Sequence, residues 1–182
     1  PAEYKIQMKK KIVSAAWTDS LYVEDLNRNA GIRVEKTAHG LTGDNQGATI
    51  IGTVQTNADG ERYVQATSAD AAGTGTVTPL GLPGRSIGGG GFVDPATGIG
   101  QQGVAGGSGL NNIGLLVRVW GRVVEIESVS IPGQPLWLKI DDGSGRQIKC
   151  VAIDGSPVID PAWQDKYALI TGISSCEIGG SG

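Results

Sequence analysis

Histidine, methionine and phenylalanine each occur once in this 182-residue chain, and cysteine twice. A single histidine makes any Ser-His-Asp arrangement depend on His39. That residue lies in Lys36-Thr37-Ala38-His39-Gly40, with no Gly-x-Ser-x-Gly element elsewhere, and it is expected to be a solvated loop residue. One histidine and two cysteines do not make a zinc site. No run of eighteen apolar residues is present, so no membrane-spanning helix is expected. No cofactor is expected either: Gly88-Gly89-Gly90-Gly91 lacks the Gly-Lys-Ser/Thr that completes a phosphate loop.

A block of one charge is also missing. The formal net charge is −3, and residues 1–72 hold eight basic against nine acidic side chains, residues 114–182 six against eight. Nucleic-acid affinity comes largely from Lys and Arg neutralising phosphates, so this balance makes nucleic acid an unfavoured partner. Met8-Lys9-Lys10-Lys11 looks like the start of a secretory leader, but Asp19 and Glu24 follow too soon for its apolar stretch. Opening on Pro1, the chain is expected to be a processed, mature protein.

Glycine is abundant, at 30 residues, and short Val/Ile/Thr-rich alternating runs dominate the rest. These runs form a repeat. Leu21-Tyr22-Val23-Glu24-Asp25, a turn and Gly31-Ile32-Arg33-Val34 return as Leu136-Trp137-Leu138-Lys139-Ile140-Asp141-Asp142, a turn and Gln147-Ile148-Lys149-Cys150. A β-rich run precedes each copy, Lys10–Ala16 and Val117–Val124. A glycine-containing run follows each, Ala48–Val54 and Tyr167–Ile173. Between the copies, residues 73–114 hold 15 of the 30 glycines and two charged residues, Arg85 and Asp94. Composition suggests a linker. Leu80, Ile87, the only phenylalanine Phe92, Val93 and Leu110 suggest a segment that docks.

The run from Leu21 to Val34, with Asp59-Gly60-Glu61-Arg62-Tyr63-Val64 and the Asp141-Asp142-Gly143-Ser144-Gly145 turn, resembles the OB-fold repeats of large secreted or surface proteins of bacteria. In those repeats an aromatic-Val-Glu-Asp strand leads through an Arg-containing turn to a Gly-Ile-Arg-Val strand. The resemblance implies five-stranded barrels and an extracellular or cell-surface setting, and it carries no activity. The expected fold is all-β, with two OB-like five-stranded barrels in tandem: module 1 over residues 1–72, a Gly-rich insert over 73–114 and module 2 over 115–182.

Three groups of candidate residues follow. Asp141, Asp142 and Ser144 offer hard oxygens to calcium. They lack Asp-x-Asp-x-Asp-Gly spacing, and in the competing reading the carboxylates accept backbone N–H bonds within a turn. Cys150 and Cys176 fit either a disulfide inside module 2 or two buried thiols. For interfaces, Tyr4, Ile6 and Met8 form the strand expected to add to a neighbouring sheet. Phe92 and Val93 are the insert's apolar contacts. Alternation places Trp120 with Arg118 and Arg122 on an outward face. The expected function is a non-enzymatic extracellular structural protein that self-assembles with its own copies, as a filament or tube, through strand pairing and the glycine-rich insert. The alternative is a single-stranded nucleic-acid or polysaccharide binding module.

Overall fold

The computed structural model describes residues 4–43, 45–127, 136–153 and 158–177. Among them the regular structure is strand, apart from two single-turn 3-10 helices. In chain order the strands are β1 (Tyr4–Ala16), β2 (Ser20–Glu24), β3 (Gly31–Glu35), β4 (Gln46–Thr56), β5 (Arg62–Thr74), β6 (Leu80–Gly81), β7 (Phe92–Val93), β8 (Gly100–Gln101), β9 (Leu116–Ile126), β10 (Trp137–Asp141), β11 (Gln147–Val151) and β12 (Tyr167–Ile173).

The first five close a barrel in the order β1-β2-β3-β5-β4. All ladders are antiparallel except β3 with β5, which run parallel with Val34 opposite Val64. β1 serves two neighbours. Tyr4–Met8 and Lys11–Ile12 pair with β4, and Ile12–Ala16 pair with β2. The register shifts between Met8 and Lys11, where Lys10 has a φ of 54°, so a bulge turns the strand from one neighbour to the other. Alternation sends Val13, Leu21, Val23, Val34, Ala48, Ile50 and Val64 into one core, which Leu41 plugs from the loop before β4. β5 runs to Thr74, two residues beyond the expected module boundary.

The second copy repeats four of these five strands. β9 divides itself as β1 does: Leu116–Arg122 pair with β12, and Arg122–Ile126 pair with β10. β10 and β11 form the hairpin that β2 and β3 form in the first copy. The path β11-β10-β9-β12 is open. The second closed barrel expected for residues 115–182 is therefore not seen among the described residues. The reason is local. The first barrel closes because β4 turns back into β5, whereas after β12 Ser174 exchanges backbone hydrogen bonds with Gly114 and Leu115 (2.7 and 3.0 Å). The core here is Val119, Val123, Leu138, Ile140 and Ile159.

The glycine-rich insert is docked. β6 lies parallel to β9, with Leu80 opposite Val117, and Ile87 packs against the second core. Gly84 N–H donates to Asp142 Oδ2 (2.7 Å) and Arg85 N–H to Ser144 Oγ (2.9 Å). On the other side Arg62 N–H donates to Gln101 Oε1 (2.7 Å). Within the insert backbone packs directly on backbone: a Cβ on Gly107 would stand 2.2 Å from the Gly89 carbonyl oxygen. Close approach, rather than looseness, accounts for glycine at such positions.

Candidate assembly interface

The second sheet has two edges that carry no strand partner among the described residues, the outer sides of β11 and β12. β12 reads Tyr-Ala-Leu-Ile-Thr-Gly-Ile, with neither charge nor proline. Protein edges are usually blunted by such residues, by bulges or by coverage. On β11 the central charge, Lys149, is bound to Glu177 beyond the end of β12 (2.9 Å). That ion pair ties β11 to the segment that follows β12.

Register identifies the counterparts of these edges in the closed barrel. Cys150 stands opposite Leu138 as Val34 stands opposite Leu21, and Ala168 and Ile170 take the places of Ala48 and Ile50. Val34, Ala48 and Ile50 are fully buried. Cys150, Ala168 and Ile170 point at the second core and are only half-buried. A core open on one side is the direct cause.

Beside this opening lies an exposed apolar face. Antiparallel pairing sets Trp120 beside Leu169, Arg122 beside Tyr167 and Arg118 beside Thr171. Trp120 is 56%, Leu169 66% and Tyr167 77% exposed. Trp120 thus stands outward with the arginines, because Val117, Val119 and Val123 take the inner face. Arg122 is held by Asp165 (2.7 Å) and Arg118 by the Thr171 hydroxyl (3.0 Å). Leu82, Pro83 and Arg85 of the insert wall a shallow groove of about 600 Å³ beside Trp120.

The other expected site residues fall elsewhere. Tyr4, Ile6 and Met8 form part of the closed barrel's own wall, opposite Val54, Gly52 and Ile50, and Ile6 and Met8 pack on its core. Phe92 and Val93 form β7, which pairs with β8 in a small hairpin, and Phe92 is 71% exposed. Asp141, Asp142 and Ser144 shape the turn after β10. Asp141 accepts from Gly143 N–H (2.8 Å), and Asp142 accepts from Ser144 N–H (2.9 Å) as well as from Gly84. These oxygens face donors, which is the polarity opposite to that of a cation site. Among the described residues no three His, Cys, Asp or Glu side chains gather as metal ligands.

Cys150 and Cys176 are both free thiols in this structure. Cys150 is spent on the second core, whereas Cys176 lies past β12, near Glu61 and Asp59. Burial pushes both thiols up to about 11, which keeps them poor nucleophiles at neutral pH. His39 is a latch rather than a solvated residue. Its Nδ1 accepts from Leu41 N–H (3.0 Å), which makes Nε2 the donor to the Trp17 carbonyl (2.7 Å).

Two buried glutamates join the halves, and neither stood out in the sequence as a joint. Glu24 accepts from Leu116 N–H at the start of β9 (3.2 Å), and its other oxygen has no hydrogen-bond partner among the described residues. Burial is the main cause that raises its carboxyl above the usual carboxylate range. A raised native value makes protonation stabilising: the contribution is full below the unfolded-state value and is lost as pH climbs through the native one. Glu24→Gln keeps the acceptor for Leu116 and removes the buried charge. It is expected to be more stable than the parent at pH 7 by about 1 kcal/mol. That advantage should shrink toward pH 4 in thermal melts; an advantage independent of pH would contradict this account.

No family model, no curated protein and no solved structure matches this chain.

Proposed function

We propose that this chain is a non-enzymatic structural protein of the cell surface or extracellular space that assembles with copies of itself by strand addition. The observation that carries this reading is the second sheet: two edges without a strand partner among the described residues, one of them an uncharged seven-residue strand, flank a half-open core. Unpaired edges with apolar faces are templates for another chain. The apolar face of Trp120, Tyr167 and Leu169 beside them is of the kind that subunit contacts cover. The strand order and parallel β3–β5 ladder of the first module support an OB-type barrel, and the matching division of β9 supports the second module as the same type with one position unfilled.

Sedimentation velocity of the full chain over a range of concentrations, with negative-stain microscopy of the same samples, tests this. Concentration-dependent growth into defined polymers is the expected result, and a single monomeric species at every concentration would remove the reading. The alternative, a module for polysaccharide or single strands, draws on Trp120 and Tyr167 beside Arg118 and Arg122, since aromatic faces stack on sugars and bases. Saturable binding of such a polymer by a persistent monomer would favour it.

A further inference from the structure

We infer that the cleft between β11 and β12 accepts one extended strand from a second copy of the chain, laid parallel to β11 and antiparallel to β12. That is the place and direction β5 has between β3 and β4. The identity of the donor rests on the self-assembly reading above, while the cleft itself stands on geometry.

Two glycines carry the argument. Gly52 of β4 and Gly172 of β12 hold equivalent positions, two residues beyond Ile50 and Ile170. A Cβ on Gly52 would lie 2.4 Å from Gln65 O, 2.7 Å from Val64 Cγ1 and 2.8 Å from Ala66 Cα, all of them β5 atoms. A Cβ on Gly172 would meet nothing within 4 Å among the described residues. Both positions carry the glycine that lets a strand lie close, and among the described residues nothing fills the space beside Gly172. The half-burial of Cys150, Ala168 and Ile170, against full burial of Val34, Ala48 and Ile50, records the same opening from three other side chains.

The occupant's chemistry follows from β5. Val64, Ala66 and Ala69 turn into the first core while Gln65 and Thr67 face out. A strand that fits the cleft has small apolar residues at alternate positions and polar residues between them. A folded copy suits the site better than a loose peptide, because Trp120, Tyr167 and Leu169 lie beside the cleft and a strand alone would leave them bare.

The test uses the full chain and a synthetic peptide of residues 62–74, the β5 sequence. The peptide is expected to bind one to one, to cap assembly, to slow amide exchange in residues 147–151 and 167–173 severalfold, and to slow alkylation of Cys150. A peptide with Val64, Ala66 and Ala69 all replaced by Lys should do none of these. Gly172→Val should melt like the parent, refuse the peptide and fail to assemble. A Gly172→Val chain that assembles and takes up peptide as the parent does would overturn the inference. The two readings also part cleanly. A chain that stays monomeric yet takes the β5 peptide keeps the cleft and loses self-assembly. A chain that assembles while the β11 and β12 amides exchange as in the monomer keeps self-assembly and loses the cleft.

Discussion

Gly52→Val should lower the melting temperature steeply, while the same change at Gly172 should leave it unchanged or slightly higher. At Gly52 the new side chain meets Gln65 O, Ala66 Cα and Val64 Cγ1 at 2.4–2.8 Å. Two of these are backbone atoms of a strand bonded on both sides, so the barrel wall itself would have to part. Overpacking costs about 1–3 kcal/mol where side chains can adjust, and here the adjustment is backbone, so the cost belongs at about 3 kcal/mol or more. For a chain of this size that is a fall of roughly 6–12 °C. Gly172 sits in extended backbone with open space around its Cβ position. Replacing a strand glycine there gains about 0.5 kcal/mol by restricting the unfolded chain. Parallel calorimetric melts of the two variants measure the contrast, and equal losses would mean that both glycines face a strand.

The architecture was legible where local chemistry repeats. Leu21–Asp25 and Leu136–Asp142 carry alternating apolar residues into an acidic turn, and that pattern marked β2 and β10 as equivalents. Module 2 matches module 1 strand for strand through β9, β10, β11 and β12, and no counterpart of β5 is seen among the described residues. The insert stood out by composition and by its apolar residues. Its anchoring did not, because the donors are the backbone N–H groups of Gly84 and Arg85, which every residue type except proline carries. Asp141, Asp142 and Ser144 were visible as a cluster of oxygens. The sequence did not decide whether such a cluster holds a cation or N–H groups, since both demand the same atoms. Glu61 was hidden differently. Its partners lie 39 and 114 positions away, Tyr22 across the closed barrel and Ser175 beyond the end of β12, and only the folded chain brings them together.

Glu61→Ala should be the most damaging change outside the glycine contacts. The carboxylate is buried, accepts from the Tyr22 hydroxyl (2.8 Å) and from Ser175 Oγ (3.2 Å), and lies 3.9 Å from the Arg33 guanidinium. Burial raises its own proton affinity, and the hydrogen bonds and Arg33 pull the other way. Removing it strands a buried phenol and takes one of two negative partners from Arg33, which keeps its 2.8 Å ion pair with Glu35. Leaving a buried polar group without its partner costs about 1–3 kcal/mol, and the loss of a second hydrogen bond, from Ser175, places this change near the upper end. Tyr22→Phe removes one hydrogen bond and should cost about 1 kcal/mol. Stability alone would not show that Glu61 also joins the two halves, but Cys176 does. Burial is the first cause of its high value, and the negative charges of Glu61 and Asp59 add to it. Without Glu61 the thiol should move back toward its ordinary range, and iodoacetamide should alkylate Cys176 faster at pH 8 in the folded variant, with Cys150 as the internal reference. An unchanged Cys176 rate in a destabilised but folded Glu61→Ala chain would confine Glu61 to the first barrel. An accelerated rate would place it at the contact through which the closed barrel holds the open sheet in register.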